Sequence, residues 1–402
     1  MKSRESVMPS SYDRLVATVQ GQWEEQGGAA ISARRISVAA GVPVSSIYHH
    51  FESLEHLLVA AQQAQLVRAR AWCKGMLAQA EGLPGCPEAF AGFFAEAIDD
   101  WAIRQRDLAF AWRECRLLAG DNTLFDAAGR EWDQLWAEFW QEASERFALG
   151  QCAGIADRMF ENESFLHMLR WRRLVDRAGL DEMARTLGAL FCRKPLPPTP
   201  WREFAREEAI RSMPTLPQRD PMAAQIVTAA AELIGTSGVA SLTHRMVAER
   251  AGLTLGMVSH KFKTKSVLME AAFEGLYSAN LERMQAGPGG AAIYGAQDVV
   301  SGIVHLLRTG ASARGSNELF VAVARDASLR QFGLQLRYLR GRTSRSMLQG
   351  LLGPDRPVGI VEAALFSGFT ASLIRSFADA GAKLPEDAIR GELESVIALL
   401  EG

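Results

Sequence analysis

The strongest constraint on this chain is that its N-terminal region occurs twice. When the 402-residue sequence is aligned with itself at an offset of 211 positions, residues 12–61 face residues 223–272 without a gap. Eleven of these fifty positions are identical, whereas ordinary composition gives roughly 3 at about one chance match in 15. The identical pairs include Gly27/Gly238, Gly41/Gly252, His49/His260 and Phe51/Phe262. The sequence therefore predicts an internal duplication.

Each copy has the signals of short helices joined by turns. In the first copy, apolar residues recur at helical spacing over residues 15–23, and the run ends at Gly27, which can take a left-handed cap. Ser32 can cap a second helix that ends at Gly41, a third helix is expected over Val44–His50, and a fourth begins near Ser53. The second copy repeats these signals at Gly238, Thr243, Gly252, Leu255–Lys261 and Thr264. Two short helices joined through a glycine turn form a helix-turn-helix.

The rest of each half is also predicted to be helical, because no alternating runs of β-branched residues bounded by turns occur. The fold class is therefore all-α. Amphipathic segments in the first half are Pro87–Arg104, Asp107–Ala119, Thr123–Phe147, Gly154–Ala178 and Leu180–Phe191. Those in the second half are Ala292–Arg308, Asn317–Leu351, Pro357–Ala380 and Pro385–Leu400. The run Gly287–Gly290 is expected to be a turn.

Proline usage predicts where the halves meet. Seven of the fifteen prolines fall between Pro195 and Pro221, which excludes long helices or strands there and permits one short helix over Trp201–Met213. The predicted organisation is a helix-turn-helix domain at 10–62, a helical regulatory domain at 63–192, a proline-rich linker at 193–221, a second helix-turn-helix domain at 222–273 and a second regulatory domain at 274–402. All nine tryptophans and five cysteines lie at or before Trp201, so the two cores are not copies.

Short motifs in both copies resemble a known family. The first copy reads Ile31-Ser32, Ala40-Gly41-Val42, Tyr48-His49-His50-Phe51 and Leu57-Leu58. The second reads Leu242-Thr243, Ala251-Gly252-Leu253, Ser259-His260-Lys261-Phe262 and Thr264-Lys265. Over about fifty residues each, they resemble the TetR family of helical transcriptional regulators. The resemblance implies two tandem TetR-like units, each a helix-turn-helix domain followed by a helical ligand-binding and dimerisation bundle.

The resemblance also implies which residues contact double-stranded DNA, since a recognition helix fits the major groove and presents its N-terminal residues to base edges. In the first copy they are Ser32, Arg34, Val44, Ser45, Tyr48, His49 and His50. In the second they are Thr243, Arg245, Leu255, Gly256, Ser259, His260, Lys261 and Lys265. Val44 and Leu255 suit a thymine methyl, and hydroxyls and imidazoles suit hydrogen bonds. Phosphate contacts position the protein, and the two arginines are as compatible with solvation as with that role.

The copies differ where the family contacts phosphate. Leu54 stands where the family has lysine, and Ser259 stands where it has tyrosine. Residues 241–267 hold five cations against one acid, net +4, whereas residues 30–56 hold two of each and are neutral. We therefore expect the second copy to hold phosphates more strongly. Because the two recognition helices differ, the expected operator is an imperfect palindrome.

Aromatic residues in the first half have two interpretations. Trp132, Trp136 and Trp140 recur every four residues, which is typical of a helical core. The resemblance instead implies a pocket for a small apolar effector between these helices. The candidate pocket residues are Trp101, Phe110, Trp112, Trp132, Trp136, Trp140 and Trp171. His167 and His305 are expected to be core histidines.

In the TetR family two chains pair through helices of this kind. The resemblance therefore implies that the two halves of this chain pair with each other. The small residues Gly368, Ala371 and Ser372 suit close helix packing, and the linker is long enough for the halves to pair within one chain. Association of two such chains into a homodimer is an open alternative.

Composition excludes several classes of protein. The net charge of −2 gives no general attraction for polyanions, so DNA binding must be local. The apolar stretch Ala363–Ile374 is twelve residues, too short to span a membrane, and the N-terminus has no secretory signal; we expect a cytoplasmic protein without a membrane partner. The cysteine spacing suggests neither disulfides nor zinc. No catalytic constellation or cofactor motif stands out, so an enzyme is not expected.

Three functional hypotheses follow. The first is a repressor that responds to a small molecule and acts as a single-chain pseudo-dimer. The second is a constitutive or activating DNA-binding regulator without an effector. The third is a helical ligand-binding or interaction protein whose DNA-reading domains have decayed.

Overall fold

The structure is a computed structural model that describes residues 9–28, 31–119, 122–285, 301–305, 313–377 and 386–401. Within these ranges the chain forms helices and turns without a strand, as the sequence predicted. The first half contains α1 (Ser11–Glu25), α2 (Ala33–Ala40), α3 (Ser45–His50), α4 (Leu54–Ala80), α5 (Phe90–Asp99), a π-helical turn (Asp100–Arg104), α6 (Arg106–Ala119), α7 (Asp126–Arg146), α8 (Ala153–His167) and α9 (Arg173–Phe191).

After α10 (Pro200–Arg211), the second half contains α11 (Pro221–Ser237), α12 (His244–Ala251), α13 (Leu255–Lys261), α14 (Lys265–Gln285), α15 (Ala313–Arg325), α16 (Gly333–Tyr338), α17 (Arg342–Leu352), α18 (Ile360–Phe377) and α19 (Glu386–Glu401). Short 3₁₀ turns occur at Pro87–Ala89, Thr123–Phe125, Gly150–Cys152, Val239–Ser241 and Ala327–Phe332. By length and composition α18 could cross a membrane, but 56% of it is buried inside the protein.

The chain forms two compact units whose bounds differ from those of the sequence repeats. The first unit comprises residues 1–79 and 105–136, and the second comprises residues 80–104 and 137–402. In the first unit α1 packs against α2, α3 and α6. The buried amide of Gln62 on α4 donates to the Ala111 carbonyl at 2.9 Å and accepts from the Trp132 indole at 3.2 Å. This hydrogen-bonded amide holds α4, α6 and α7 together.

Two predicted helices are wrong, because the chain breaks within each of them. Gly154–Ala178 is not one helix: α8 ends at His167, and α9 begins at Arg173 and continues through residue 180. The Asp176 carboxylate accepts the Trp171 backbone N–H at 2.9 Å, which stabilises the start of α9.

Asn317–Leu351 is also broken. At Gly341, with φ of 89°, a Cβ would lie 2.7 Å from the Ala363 backbone, so the chain turns there to pass close to α18. Most of the predicted helix Ala292–Arg308 and the predicted turn at Gly287–Gly290 lie outside the described residues. His305, expected in a core, is exposed.

Within the second unit, helices from the two halves of the sequence pack together along what we call the seam, the contact of α8 and α9 with α16, α18 and α19. Gly368 on α18 allows close approach to α8, since a Cβ there would lie 2.7 Å from the Asn162 amide nitrogen. Arg375 donates to Glu161 at 3.0 Å and to Asn162 at 3.1 Å. The seam is therefore both close-packed and polar.

The charges of the seam are divided between the halves. The first half supplies the buried acids Glu161, Glu163 and Asp176, and the second supplies Arg337, Arg340 and Arg375. One ion pair has the opposite arrangement: Arg158 of the first half donates to Glu392 of the second half at 2.7 and 2.9 Å. Burial and then the charge of Arg375 lower the pKa of Arg340 to about 10.

His167 lies at the centre of the most extensive polar network in the seam. Its Nε2 lies 2.7 Å from Asp99 Oδ1, and its Nδ1 lies 2.6 Å from an Arg337 guanidinium nitrogen. Arg337 also contacts the Asp176 carboxylate at 3.1 Å, and the Tyr338 hydroxyl donates to that carboxylate at 3.0 Å. These bonds satisfy side chains that would be costly to bury alone.

The segment predicted to be a linker contains α10, which packs against α9 and α16. Ala205 and Ala209 on α10 are fully buried in a cluster with Leu339 and Tyr338. The buried Glu182 carboxylate accepts the backbone N–H groups of Trp201 and Arg202 at 2.9 and 2.8 Å, which caps the first turn of α10.

Candidate nucleic-acid interface

The first head, α1 to α3, is built as a helix-turn-helix. The Ser32 hydroxyl accepts the Arg35 backbone N–H at 3.4 Å at the start of α2, and Gly41, with φ of 63°, ends it. Ile47 on α3 is fully buried and fixes that helix against the head. The opposite face is open to solvent, with the predicted contacts Val44, Ser45, Tyr48, His49 and His50 exposed, as are Ser32 and Arg34.

The second head, α11 to α13, repeats this arrangement. The Thr243 hydroxyl accepts the Met246 backbone N–H at 3.2 Å, and Gly252, with φ of 65°, ends α12. Thr254 caps α13 by accepting the Met257 N–H at 3.3 Å, and Val258 is its fully buried anchor. The predicted contacts are exposed: Thr243, Arg245, Leu255, Gly256, Ser259, His260, Lys261 and Lys265.

The equivalent positions His50 and Lys261 are both held by their own head. His50 Nε2 is 2.6 Å from the Ser11 hydroxyl, and its ring lies 6.1 Å from the Tyr12 ring, edge to face. Lys261 pairs with Asp220, the N-cap of α11, at 2.8 Å and lowers the pKa of that carboxyl. Both side chains therefore fasten the recognition helix to the first helix of the head.

In each head, a backbone N–H donates to an acid on a later helix, and neither acid was among the predicted site residues. In the first unit, the Gly28 backbone N–H donates to Glu114 on α6 at 2.8 Å. In the second unit, the Val239 N–H donates to Glu318 on α15 at 3.2 Å. Gly28 and Val239 are equivalent at the 211-residue offset, but the two acids are 204 residues apart. For Glu114 the available signal was an acid on an otherwise apolar face of its helix.

The predicted pocket residues are nearly all buried, and they belong to separate clusters. In the first unit Trp112 and Trp136 have ring centroids 4.9 Å apart, and Trp132 stacks on both at 6.2 Å. Phe110 is fully buried beneath the Arg106 guanidinium, 4.9 Å from its ring centroid.

In the second unit Trp101 is fully buried on the π-helical turn, and Trp140 packs against Phe94 at 5.2 Å and Phe160 at 5.1 Å. Trp171 lies apart from these aromatic clusters: it is half-buried beside Tyr338, with ring centroids 6.4 Å apart, in the cluster around α10. The reason is the helix break at residues 168–172, which places it at the seam.

Two polar atoms beside the second cluster lack a partner in the described part of the chain. The Trp140 indole N–H and the Ser144 hydroxyl, one turn apart on α7, are fully buried and make no hydrogen bond there. Buried donors without acceptors are rare in native proteins, so these two atoms are exceptional within the bundle.

Among the described residues, no group of three or more His, Cys, Asp or Glu side chains is placed to hold a metal ion. Cys73, Cys86, Cys115, Cys152 and Cys192 are free thiols.

A short exposed helix after a glycine-ended helix, present twice and rigidly anchored, defines the helix-turn-helix class of proteins. Comparison with known proteins gives the family. The model described as "Bacterial regulatory proteins, tetR family" matches residues 21–61 and 226–272. The chain therefore carries two tandem regions that match the helix-turn-helix domain of the TetR family.

Similar proteins include the "HTH-type transcriptional regulator BetI" of Klebsiella pneumoniae strain 342 and that of Escherichia coli strain K12 / DH10B. Each is 34% identical over 94 residues, which cover 22% of this chain and 48% of the relative. The chain thus spans about half the length of these relatives.

Proposed function

We propose that the protein is a DNA-binding transcriptional regulator of the bacterial cytoplasm, a repressor whose two unlike heads read an imperfect palindrome. The observation that carries the proposal is the exposed, polar outer face of both α3 and α13, each fixed from behind by a buried residue, Ile47 or Val258. An exposed helix face of this size, with hydroxyl, imidazole and small apolar groups, suits base edges in the major groove.

The difference in charge between the heads supplies the first test. Lys265 begins α14 and is exposed, and Leu54 occupies the equivalent position on α4. Each phosphate contact adds about 0.9 to the slope of log affinity against log salt. We expect Lys265→Ala to lower that slope by about 1 and Leu54→Lys to raise it by about 1.

The assay is fluorescence anisotropy with a labelled random-sequence duplex over a series of salt concentrations. Arg211→Ala, which removes an exposed cation at the end of α10, is the matched control and should leave the slope unchanged. A slope that Lys265→Ala does not alter, or binding without salt dependence, would contradict the assignment of the phosphate-binding face.

The effector is proposed to occupy the bundle of the first half. The Trp140 N–H and the Ser144 hydroxyl support this, because an apolar molecule with one acceptor would satisfy them. A thermal-shift screen with an apolar compound library tests it, followed by measurement of DNA release. Ser144→Ala should weaken a hit while leaving Tm nearly unchanged. If no compound shifts Tm, a regulator without an effector is favoured.

Pairing of the halves within one chain is supported by the division of charge along the seam. Acids on one side and arginines on the other attract each other, whereas two copies of the same side would bring like charges together. Sedimentation equilibrium of the intact chain tests the proposal: a monomer at micromolar concentration fits a self-contained pair, and an obligate dimer contradicts it.

A further inference from the structure

A cavity of about 240 Å³ lies in the second unit, where the end of α9 and the residues after it meet the second half of the chain. Its walls are both apolar and cationic: Leu190, Leu196, Leu399, Arg193, Lys194 and Arg356. None of these residues belongs to the heads or to the aromatic clusters. The cavity is small, below the size of most drug-binding pockets.

Arg193 stands in a backbone conformation that arginine rarely adopts. Its φ is 50°. At this end of α9 the Lys194 N–H donates to the Ala189 carbonyl at 2.9 Å, and the Arg193 N–H donates to the Leu190 carbonyl at 3.0 Å. This pattern at a helix C-terminus normally has glycine at the left-handed position. The arginine is strained there, and its side chain lines the cavity.

The cations of the cavity are not fully neutralised. Lys194 pairs with Glu88 at 2.6 Å, and Arg356 pairs with Glu362 at 2.9 Å. Arg193 has no ion-pair partner among the described residues, which leaves one net positive charge. One guanidinium nitrogen of Arg356, Nη1, is buried and has no acceptor in the described part of the chain.

We propose that this cavity binds a monocarboxylate with a short hydrocarbon chain, of which octanoate is a representative. One carboxylate balances the single uncompensated charge and can accept from both guanidinium groups. The three leucines would cover the chain, and transfer of that chain from water is favourable. Inorganic phosphate fits less well, because it would leave the leucines uncovered. This inference goes beyond the proposed function and involves no DNA.

Thermal unfolding and isothermal titration of the full chain test the proposal, with octanoate, octanol and inorganic phosphate as probes. Octanoate should raise Tm and bind with one site per chain, and octanol and phosphate should do neither. Arg193→Gly should weaken octanoate binding at least about tenfold. Its fold should be intact, because glycine adopts positive φ without strain.

Ala148→Gly is the matched control, since Ala148 also has a positive φ, of 56°, and lies outside the cavity. It should bind octanoate as the unaltered chain does. Two results would overturn the proposal: an equal response to octanol or phosphate, or octanoate binding that survives Arg193→Gly. The second would place the carboxylate elsewhere in the molecule.

Discussion

Low pH should destabilise this protein through His167, a fully buried histidine that faces an arginine. Asp99 can only accept and Arg337 can only donate, so His167 carries its proton on Nε2 and keeps Nδ1 as an acceptor. If Nδ1 were protonated, its N–H would face an N–H of Arg337, and neither group could accept a hydrogen bond. Burial first, and then the charge of Arg337, lower the pKa of His167 from 6.5 to about 4, although Asp99 opposes the shift.

The direction of the pH effect follows from linkage. Between pH 6.5 and pH 4 the unfolded chain binds a proton at His167 that the folded chain does not, so stability falls as the pH falls. The loss is about 2 kcal/mol between pH 7.5 and pH 5, and on the order of 3 kcal/mol in full. Burial would raise the pKa of Asp99, but hydrogen bonds from Arg173 and His167 lower it below its usual range, so Asp99 contributes only at lower pH.

Urea unfolding followed by tryptophan fluorescence at pH 7.5 and pH 5 measures this effect. His167→Gln keeps a donor and an acceptor but cannot bind the proton. Between pH 7.5 and pH 5, the unfolding free energy of this variant should therefore fall by about 2 kcal/mol less than that of the unaltered chain. His305→Gln removes an exposed histidine and should behave like the unaltered chain. Equal losses in the unaltered chain and in His167→Gln would show that His167 does not cause the pH dependence.

Other predictions concern packing, charge and thiol reactivity. Gly368→Ala crowds the seam and should lower the unfolding free energy by about 1–3 kcal/mol, whereas Gly391→Ala, with open space around it, should raise it by about 0.5–1 kcal/mol in the same urea assay. Glu161→Gln, which leaves its arginine partner buried, should lower it by about 3 kcal/mol. A thiol reagent should modify exposed Cys86 in the native protein and reach Cys115 only after unfolding, since burial raises the pKa of Cys115 to about 12.

The helix-turn-helix elements could be predicted from the sequence because their determinants are local. Caps such as Ser32 and Thr243, and stops such as Gly41 and Gly252, act within a few residues of the helix ends that they set. The structure places all four where the sequence put them.

The seam could not be predicted, since its partners are far apart in the chain. Glu161 and Arg375 are separated by 214 positions, and neither is unusual in its local context. The break between α8 and α9 depends on the Asp176 carboxylate, which the helical periodicity of residues 154–178 conceals. The two acids that tie the heads, Glu114 and Glu318, escaped the repeat alignment because their offset differs from 211.

The most direct test of two unlike reading heads in one chain is selection of bound duplexes from a random DNA pool with the intact protein, followed by sequencing. We expect two different half-sites at a fixed spacing. Two identical half-sites, or no enrichment of any sequence, would contradict this expectation.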